Sequence, residues 1–281
     1  MRAQDVLFQG VKELKSAGIA DAVRDARRLM SWALEIDASR LTLMLGDDIL
    51  DDAHARFEKA IERRSCHVPV SHITGTRAFY GRDFHVSCVV LDPRPETELL
   101  VEIALQHPAT RLLDLGTGSG AIAVSVLAER PELSGEAFDI SVDALEVAQI
   151  NAQTHGVSDR LAFKQSDWFQ KARGRYDLIV SNPPYITTAE MQDLQPEVFE
   201  HEPHIALTPY PDAENDGLDS YRVITAQVGE YLAPGGLLAV ECGPEQGHAV
   251  RGMFVRAGLI DVQIHQDLDG RDRVVAGKMP G

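Results

Sequence analysis

An Asn-Pro-Pro-Tyr sequence at residues 182–185 has the residue types needed to hold a planar nitrogen. It follows Tyr176–Ser181, an apolar run that predicts a buried strand. The prolines fix φ and remove two backbone donors, so the carbonyl groups there stay free to accept hydrogen bonds from a ligand. The side-chain oxygen of Asn182 and the carbonyl of Pro183 would accept the two hydrogens, and the ring of Tyr185 would cover the face. This chemistry suits methylation of an amide or amino group; a proline-rich turn capped by a surface tyrosine is the simpler interpretation.

A second candidate site is the glycine turn at residues 116–120. A predicted strand at 112–115 carries Asp114 and runs into Gly116-Thr117-Gly118-Ser119-Gly120, which a helix follows. Glycine permits unusual φ values and lets the backbone touch a ligand. The G-x-G-x-G spacing differs from the G-x-G-x-x-G of dinucleotide folds, which bind a pyrophosphate at the helix N-terminus. Asp114 before the turn favours a cationic ligand with an amino-acid tail, such as S-adenosylmethionine; an ordinary strand-to-helix turn is the alternative.

Two further strand ends carry side chains suited to the rest of such a cofactor. Asp139 lies 19 residues after Gly120, where a carboxylate can accept both hydroxyls of a ribose. One strand later, Asp167 can accept from an adenine amino group and Trp168 can form a wall for the ring. Trp168 taken alone is more typical of a core residue. Because ligands bind outside the carboxyl ends of parallel strands, we expect these residues and Asn182 to converge.

Composition describes an ordinary globular protein. The 281 residues suffice for one large or two medium domains, with 44% hydrophobic and 25% charged residues. No stretch approaches the length of a membrane-spanning helix, and the N-terminus lacks a secretory pattern. Cys66, Cys88 and Cys242 lie far apart and show no zinc-binding spacing. These features predict a reduced, cytoplasmic protein.

The negative charge is unevenly distributed along the chain. Residues 1–80 contain 12 basic and 12 acidic residues, whereas the remainder contains 15 basic and 31 acidic residues and so carries the whole net charge of −16. An acidic catalytic part repels phosphate backbones, which argues against nucleic acid as the main substrate. A local basic patch remains compatible with this composition.

The apolar pattern changes near residue 76. Before that point, helical spacing predicts three helices. One covers about residues 3–17, the second begins after Asp21 as its N-cap, and the third covers about residues 51–65. Phe79–Val86 then predicts a hairpin with its turn near Gly81-Arg82. A proline-stiffened linker up to residue 95 is predicted next, followed by an alternation of strands and helices that is typical of a parallel sheet. Residues 207–219 are predicted to form a mobile acidic loop. The segments 260–265 and 273–276 are predicted to form an antiparallel strand pair at the end of the sheet.

Together these motifs resemble the HemK/PrmC family of protein glutamine methyltransferases, which modify peptide chain release factors. The resemblance covers nearly the whole chain, and its most specific feature is Arg94-Pro95-Glu96-Thr97-Glu98 together with the Asn182–Tyr185 loop. It implies an α/β fold, namely the class I S-adenosylmethionine-dependent methyltransferase fold with a Rossmann-like seven-stranded sheet. A small helical bundle domain would precede this fold at the N-terminus. The other shared elements are Asp114–Gly120, Asp139–Ser141, Ser166–Phe169, Asp216–Leu218 and Leu232–Gly236.

The resemblance and the residue types discussed above together predict domain limits, a mechanism and residue roles. Residues 1–75 would recognise the substrate protein, 76–95 would form the hairpin and linker, and 96–281 would form the methyltransferase domain. The expected substrate is a glutamine in the Gly-Gly-Gln motif of a release factor, methylated by in-line displacement in a monomeric enzyme. The residues assigned to S-adenosylmethionine are Asp114, Gly116, Thr117, Gly118, Ser119, Gly120, Asp139, Asp167, Trp168 and Asn182; those assigned to the glutamine are Asn182, Pro183, Pro184, Tyr185 and Arg94, with Asn182, Pro183 and Tyr185 catalytic.

Several positions depart from the family pattern or stay open. Asp92 replaces an expected aliphatic residue, and the segments 69–72 and 208–215 differ from the usual sequence, although none lies at the predicted transfer centre. Arg94 suits a structural salt bridge as well as substrate contact. Glu241 suits either a cleft wall or a buried partner. Proline between His201 and His204 breaks any metalloprotease helix, so no metal site is predicted.

Four other functions are compatible with parts of the pattern. A ribosomal-protein glutamine is a second target within the family. DNA adenine methyltransferases use similar Asn/Asp-Pro-Pro-aromatic loops, but the acidic charge and the lack of a basic recognition segment argue against them. A non-catalytic binding module would not need the intact Asn182–Tyr185 loop. A nicotinamide dehydrogenase conflicts with the glycine spacing.

Overall fold

The computed structural model describes residues 1–209 and 214–281, and the chain divides into two compact units. One unit comprises Met1–Thr76 and Gln195–His201, and the other comprises Arg77–Leu194 and Glu202–Gly281. The helices are α1 (Ala3–Ser16), α2 (Ala22–Ala33), α3 (Leu41–Met44), α4 (Asp51–Ser65), α5 (Val70–Thr74), α6 (Glu98–Gln106), α7 (Ala121–Glu129), α8 (Val142–Thr154), α9 (Pro196–Phe199), α10 (His204–Leu207), α11 (Asp219–Tyr231) and α12 (Gly247–Arg256). The strands are β1 (Thr76–Phe79), β2 (Arg82–His85), β3 (Arg111–Leu115), β4 (Ser134–Asp139), β5 (Leu161–Gln165), β6 (Tyr176–Ser181), β7 (Leu232–Glu241), β8 (Ile260–Gln266) and β9 (Asp272–Lys278).

The first unit is a helical bundle around a core of aliphatic side chains and Phe57. Its helices begin close to the predicted residues, but the Asp21 side chain does not cap α2. Its carboxylate instead pairs with Arg24 at 2.6 Å. Arg64 is buried in this unit and donates to Asp25 at 2.9 Å and to Glu197 at 2.8 Å. The second bond ties the segment that contains α9 to this unit.

The second unit is built on the predicted seven-stranded sheet, which the structure confirms. The strand order is β5-β4-β3-β6-β7-β9-β8. Strands β3 to β7 pair in parallel, and β9 pairs antiparallel with both β7 and β8, as predicted for the end of the sheet. Within the described residues, no helix combines the length and apolar character needed to cross a bilayer.

The strand order places four loops next to each other. After β3 the chain adds β4 and β5 on one side, and β6 then pairs on the other side of β3, which makes a topological switch point. Leu115 at the end of β3 lies beside Phe138 on one side and Ser181 on the other. Asp139 at the end of β4 lies beside Gln165 at the end of β5. The loops after these four strands therefore open at one edge of the sheet.

The β1–β2 hairpin turns at Tyr80-Gly81, one residue earlier than predicted. Both residues have positive φ, 49° and 70°, which is the backbone geometry of a tight primed turn. Part of the predicted acidic loop, residues 210–213, lies outside the described residues. On its far side, the Asn215 amide donates to Thr188 Oγ1 at 3.1 Å and Thr208 Oγ1 at 2.9 Å.

Asn151 on α8 joins the hairpin to the glycine turn. Its Oδ1 accepts from the His85 N–H at 2.7 Å, and its Nδ2 donates to the carbonyls of His85 at 2.9 Å and Ser119 at 2.8 Å.

We expect Asn151→Ala to lower the free energy of unfolding by about 2–4 kcal/mol, because a buried side chain making three hydrogen bonds is lost. Urea denaturation measures this change. The exposed Gln153→Ala on the same helix should change stability by at most about 0.5 kcal/mol; equal effects would contradict the expectation.

Candidate active site

A cavity of about 330 Å³ opens where the loops after β3, β4, β5 and β6 meet. Its walls combine backbone of the glycine turn with polar side chains from three neighbouring loops. The structure therefore brings together most of the residues selected from the sequence. Those that line the cavity are Arg94, Gly116, Thr117, Gly118, Ser119, Asp139, Asp167, Trp168, Asn182 and Pro184; those that do not are Asp114, Gly120, Pro183 and Tyr185.

The first two glycines of the turn serve the cavity and the third serves packing. Gly116 and Gly118 have φ of 70° and 55°, and a Cβ added to either would meet no atom within 4 Å. Their bare backbone thus faces open space beside the cavity. A Cβ on Gly120 would lie 3.1 Å from the Cβ of Ala148, so this glycine lets α7 approach α8. The turn presents backbone to a ligand through two of its three glycines.

Asp139 is anchored by backbone donors at the cavity wall. Its Oδ2 accepts from the Gly118 N–H at 2.8 Å, and its Oδ1 accepts from the Ser141 N–H at 2.9 Å. Burial raises the pKa of the Asp139 carboxyl, and these backbone donors oppose the rise. Each carboxylate oxygen has a second lone pair available for a ligand hydroxyl.

Asp114 lies behind the glycine turn, and only one of its two oxygens is hydrogen-bonded within the described part of the chain. Its Oδ2 accepts from Thr117 Oγ1 at 2.7 Å. Its Oδ1 is buried and has no hydrogen bond among the described residues. Burial raises the pKa of Asp114 to about 7, and the Thr117 hydroxyl and the nearby Ala123 N–H oppose the rise. A buried acceptor of this kind fits a ligand donor, reached directly or through water.

Trp168 stands at the cavity wall in an unusual backbone conformation, with φ of 46°. The hydroxyl of Ser166 fixes this turn, because it donates to the Trp168 carbonyl at 2.8 Å and accepts from the Lys171 N–H at 3.1 Å. Asp167 is exposed and accepts from Gln170 at 3.0 Å. An aromatic wall and a carboxylate thus lie side by side where adenine was predicted to bind.

The Asn182–Tyr185 loop has two acceptor atoms that receive no hydrogen bond from the part of the chain that the structure describes. The carbonyl of Pro184 accepts from Ser220 Oγ at 3.0 Å, and that of Tyr185 accepts from Gln246 Nε2 at 2.9 Å. The Asn182 amide nitrogen donates to Thr97 Oγ1 at 3.3 Å. Among the described residues, no donor reaches the Pro183 carbonyl oxygen or Asn182 Oδ1. These are the two atoms that the sequence predicts to hold a planar nitrogen.

The side chain of Tyr185 points into the protein, where its hydroxyl group makes a hydrogen bond. The ring packs against the core that lies between the sheet and α11, and the hydroxyl donates to Glu241 Oε1 at 3.3 Å. Burial and the neighbouring Glu241 carboxylate raise the pKa of Tyr185, so it stays a neutral donor. Its role as a cover for the amide face stays a prediction.

Thr97 is a site residue that sequence reasoning did not select, and Glu241 is one whose role it left open. Glu241 ends β7, is 1% exposed and accepts from Thr97 Oγ1 at 2.5 Å. Of the two roles left open for Glu241, the structure shows that of a buried partner. Burial raises its pKa to about 7, against the opposing effects of Thr97 and Arg273. Thr97 lines the cavity next to Asn182, and its place inside the Arg94–Glu98 motif was the available signal.

Arg94 forms a structural salt bridge, one of the two roles that the sequence left open, and it also lines the cavity, so substrate contact stays a prediction. Its Nη2 donates to both carboxylate oxygens of Glu202, at 2.6 Å and 2.8 Å, and the Glu202 side chain is only 2% exposed. His201 is engaged elsewhere, with Nε2 at 3.1 Å from the Cys66 carbonyl. The part of the chain that the structure describes contains no cluster of three metal-ligating side chains.

Two family models match the chain, one over its helical N-terminal part and one over the part that carries the cavity. The PrmC N-terminal domain matches residues 5–75, and the methyltransferase small domain matches residues 91–206. Both the helical part and the part that carries the cavity are therefore recognised independently.

Full-length relatives agree with these matches. A release factor glutamine methyltransferase of Cereibacter sphaeroides is 51% identical over 280 residues, covering 100% of this chain and 99% of the relative. One of the same name from Agrobacterium fabrum is 40% identical, covering 96% and 94%. A crystal structure of a methyltransferase from Pyrococcus furiosus, 14% identical, has a TM-score of 0.55 over 83% of this chain and 100% of that chain, which shows the fold alone. The chain belongs to the family of release factor glutamine methyltransferases and has its class I methyltransferase fold.

Proposed function

We propose that this protein transfers a methyl group from S-adenosylmethionine to the side-chain amide nitrogen of a glutamine, in the Gly-Gly-Gln motif of a peptide chain release factor. The observation that carries the proposal is a pair of acceptors that no protein donor reaches within residues 1–209 and 214–281, Asn182 Oδ1 and the Pro183 carbonyl, in a loop whose Asn182 and Pro184 line the cavity. A carboxamide NH₂ group has two hydrogens to donate and matches this pair. The names of the relatives support the same substrate.

The cavity fits S-adenosylmethionine by the chemistry of its donors and acceptors. Asp139 offers free lone pairs to the ribose hydroxyls, and the wall formed by Trp168 and Asp167 suits adenine. The open backbone of Gly116 and Gly118 and the unpartnered Oδ1 of Asp114 suit the amino-acid tail. When bound there, the cofactor supplies a methyl group activated by a sulfonium centre.

The chain's own contribution to the reaction is positioning. An amide nitrogen is a poor nucleophile, because its lone pair is delocalised into the carbonyl. Asn182 Oδ1 and the Pro183 carbonyl would each accept one N–H, which fixes the direction of the nitrogen and favours partial pyramidalisation. Holding reactants in such a geometry contributes on the order of 7–11 kcal/mol. No strong base is needed before transfer, since the methylated nitrogen becomes acidic and loses its proton afterwards.

Asp139→Ala should raise the Kd for S-adenosylhomocysteine by about 10- to 100-fold. The reason is the loss of a carboxylate that hydrogen-bonds the ribose, since hydrogen bonds to charged groups contribute about 1.5–3 kcal/mol. Isothermal titration calorimetry measures this affinity directly. Asp143→Ala, an exposed acid in the first turn of α8, is the matched control and should leave Kd unchanged. An unchanged Kd for Asp139→Ala would exclude Asp139 from the cofactor site.

Transfer of labelled methyl groups to purified substrates tests the proposed function. The substrates are a release factor, the same factor with its Gly-Gly-Gln glutamine replaced by alanine, total ribosomal proteins and duplex DNA. We expect label in the first alone. Label in ribosomal proteins or in adenine would favour the two alternative functions, and label in no substrate would favour a binding module.

We also propose that the protein acts in the cytoplasm as a monomer and binds no nucleic acid directly. The acidic charge of residues 81–281 supports the last point, because it repels phosphate backbones. Residues 1–75 are proposed to recognise the release factor, and 96–281 to perform the transfer. Size-exclusion chromatography with light scattering measures the mass in solution, where 30.8 kDa is expected.

A further inference from the structure

The Asn182 side chain has an acceptor end and a donor end, and only one suits the proposed clamp. If Oδ1 faces the glutamine, it accepts an N–H; if Nδ2 faces it, two donors oppose each other. We infer that Thr97 and Glu241 are positioning residues that fix the Asn182 amide with its oxygen toward the substrate. This inference rests on the proposed function and concerns how its central residue is oriented.

The orientation follows from the single hydrogen of the Thr97 hydroxyl. Thr97 Oγ1 lies 2.5 Å from Glu241 Oε2, a distance typical of a hydroxyl that donates to a carboxylate. With its hydrogen engaged there, the Thr97 oxygen offers only lone pairs to its other neighbour. Asn182 must therefore turn its donor, Nδ2, toward Thr97, where it lies at 3.3 Å. Its Oδ1 is left for the substrate.

The opposite orientation would be unfavourable on both sides of the amide. Asn182 Oδ1 would face the lone pairs of Thr97 Oγ1, and Nδ2 would face the substrate N–H. Leaving both ends of a half-buried amide facing groups of the same polarity is unfavourable, which selects the orientation with Oδ1 toward the substrate. The negative charge of Glu241 thus sets the polarity of the whole Glu241–Thr97–Asn182 chain of hydrogen bonds.

Regular structure holds both positioning residues in place. Thr97 ends a 3₁₀ turn, Pro95–Thr97, that leads directly into α6. Glu241 ends β7, one residue after Val240, which pairs with Ser181 at the end of β6. Its carbonyl oxygen accepts from the Tyr221 hydroxyl at 3.0 Å, and Oε1 accepts from Tyr185. The titratable and charged groups that face Glu241 are Glu96, Tyr185, Tyr221, Cys242 and Arg273.

Protonation of Glu241 would reverse this chain. Burial raises the pKa of Glu241 to about 7. Below that pH the protonated carboxyl would donate to Thr97, whose own hydrogen would then turn to Asn182 and favour Oδ1 on that side. The proposed orientation therefore predicts that kcat falls as pH decreases through about 7, and that the fall depends on both Glu241 and Thr97.

The test compares Thr97→Val, Thr97→Ser and Glu241→Gln with the natural protein. Valine keeps the shape of threonine without the hydroxyl, so kcat should fall about 10- to 100-fold while the Kd for S-adenosylhomocysteine stays within about twofold. Thr97→Ser should restore most of kcat. Glu241→Gln should lower kcat at pH 8 and abolish the acid limb. Thr154→Val, which removes an exposed hydroxyl from α8, is the matched control.

A second readout is independent of turnover. The ¹⁵N-labelled side-chain amide of Asn182, followed by NMR in the cofactor-free protein, should titrate near pH 7 in the natural protein and in Thr97→Ser. It should not titrate in Glu241→Gln. A kcat for Thr97→Val within about twofold of the natural value, or an equal loss of kcat and cofactor affinity, would overturn the inference. Failure of the natural protein to methylate glutamine would instead overturn the proposed function, with the NMR titration still deciding the orientation.

Discussion

Asn182→Ala is expected to lower kcat for glutamine methylation by about 10²–10³-fold, the range found when a preorganised hydrogen-bonding group is removed from an active site. The variant loses the Oδ1 acceptor that we propose for one of the two amide hydrogens. The rest of the loop keeps its support, because Ser220 still donates to the Pro184 carbonyl and Gln246 to the Tyr185 carbonyl. The Kd for S-adenosylhomocysteine should therefore change by at most about tenfold. Steady-state kinetics and calorimetry on the same preparation separate the two effects.

Asn182→Asp sharpens this comparison, because it keeps the shape of the side chain and an acceptor. A carboxylate cannot donate to Thr97 Oγ1, so the contact at 3.3 Å becomes a repulsion between lone pairs. We expect kcat for Asn182→Asp to be nearly as low as for Asn182→Ala. Near-normal glutamine methylation by the alanine variant would show that this residue does not hold the substrate nitrogen.

Gly217→Ala is expected to lower kcat by about 100-fold or more, although Gly217 does not line the cavity. A Cβ at this position would overlap the Tyr185 carbonyl oxygen and lie 2.7 Å from Gln246 Nε2, and φ is 73°. Gln246 Nε2 donates to the same Tyr185 oxygen at 2.9 Å. The added methyl group would therefore separate the Asn182–Tyr185 loop from the Gln246 side chain that supports it. We also expect the free energy of unfolding to fall by about 2–4 kcal/mol.

Gly229→Ala is the matched control for that substitution. Gly229 lies inside α11, has no positive φ, and a Cβ added there would meet no atom within 4 Å. Alanine favours a helix interior over glycine by about 1 kcal/mol, so this variant should keep full activity and gain stability. Chemical denaturation and kcat should thus distinguish it clearly from Gly217→Ala, which is expected to lose both. Equal behaviour of the two variants would mean that Gly217 does not support the Asn182–Tyr185 loop.

The position of the cavity was predictable from the sequence because it depends on strand ends. Asp139, Trp168 and Asn182 each follow a short apolar run, and a parallel sheet brings such positions to one edge. The glycine turn was predictable for the same reason. The three glycines looked equivalent in sequence, however, and only the packing of Gly120 against Ala148 separates its role from the others.

The polar network behind Asn182 was not predictable because its members are distant in the chain. Thr97 and Glu241 are 144 residues apart, and Arg94 and Glu202 are 108 apart. No local periodicity encodes such pairs, because each forms only when segments that are distant in the chain pack together. The assignment of residues 195–201 to the helical unit has the same origin, since Glu197 bonds to Arg64 across 133 positions.

The most direct test of the central claim is tandem mass spectrometry of a release factor incubated with the protein and S-adenosylmethionine. The prediction is one added methyl group, on the side-chain amide of the Gly-Gly-Gln glutamine, formed by the natural protein and lost with Asn182→Ala. A methyl group at any other position, or equal methylation by the Asn182→Ala variant, would contradict the proposal that this loop grips a glutamine amide.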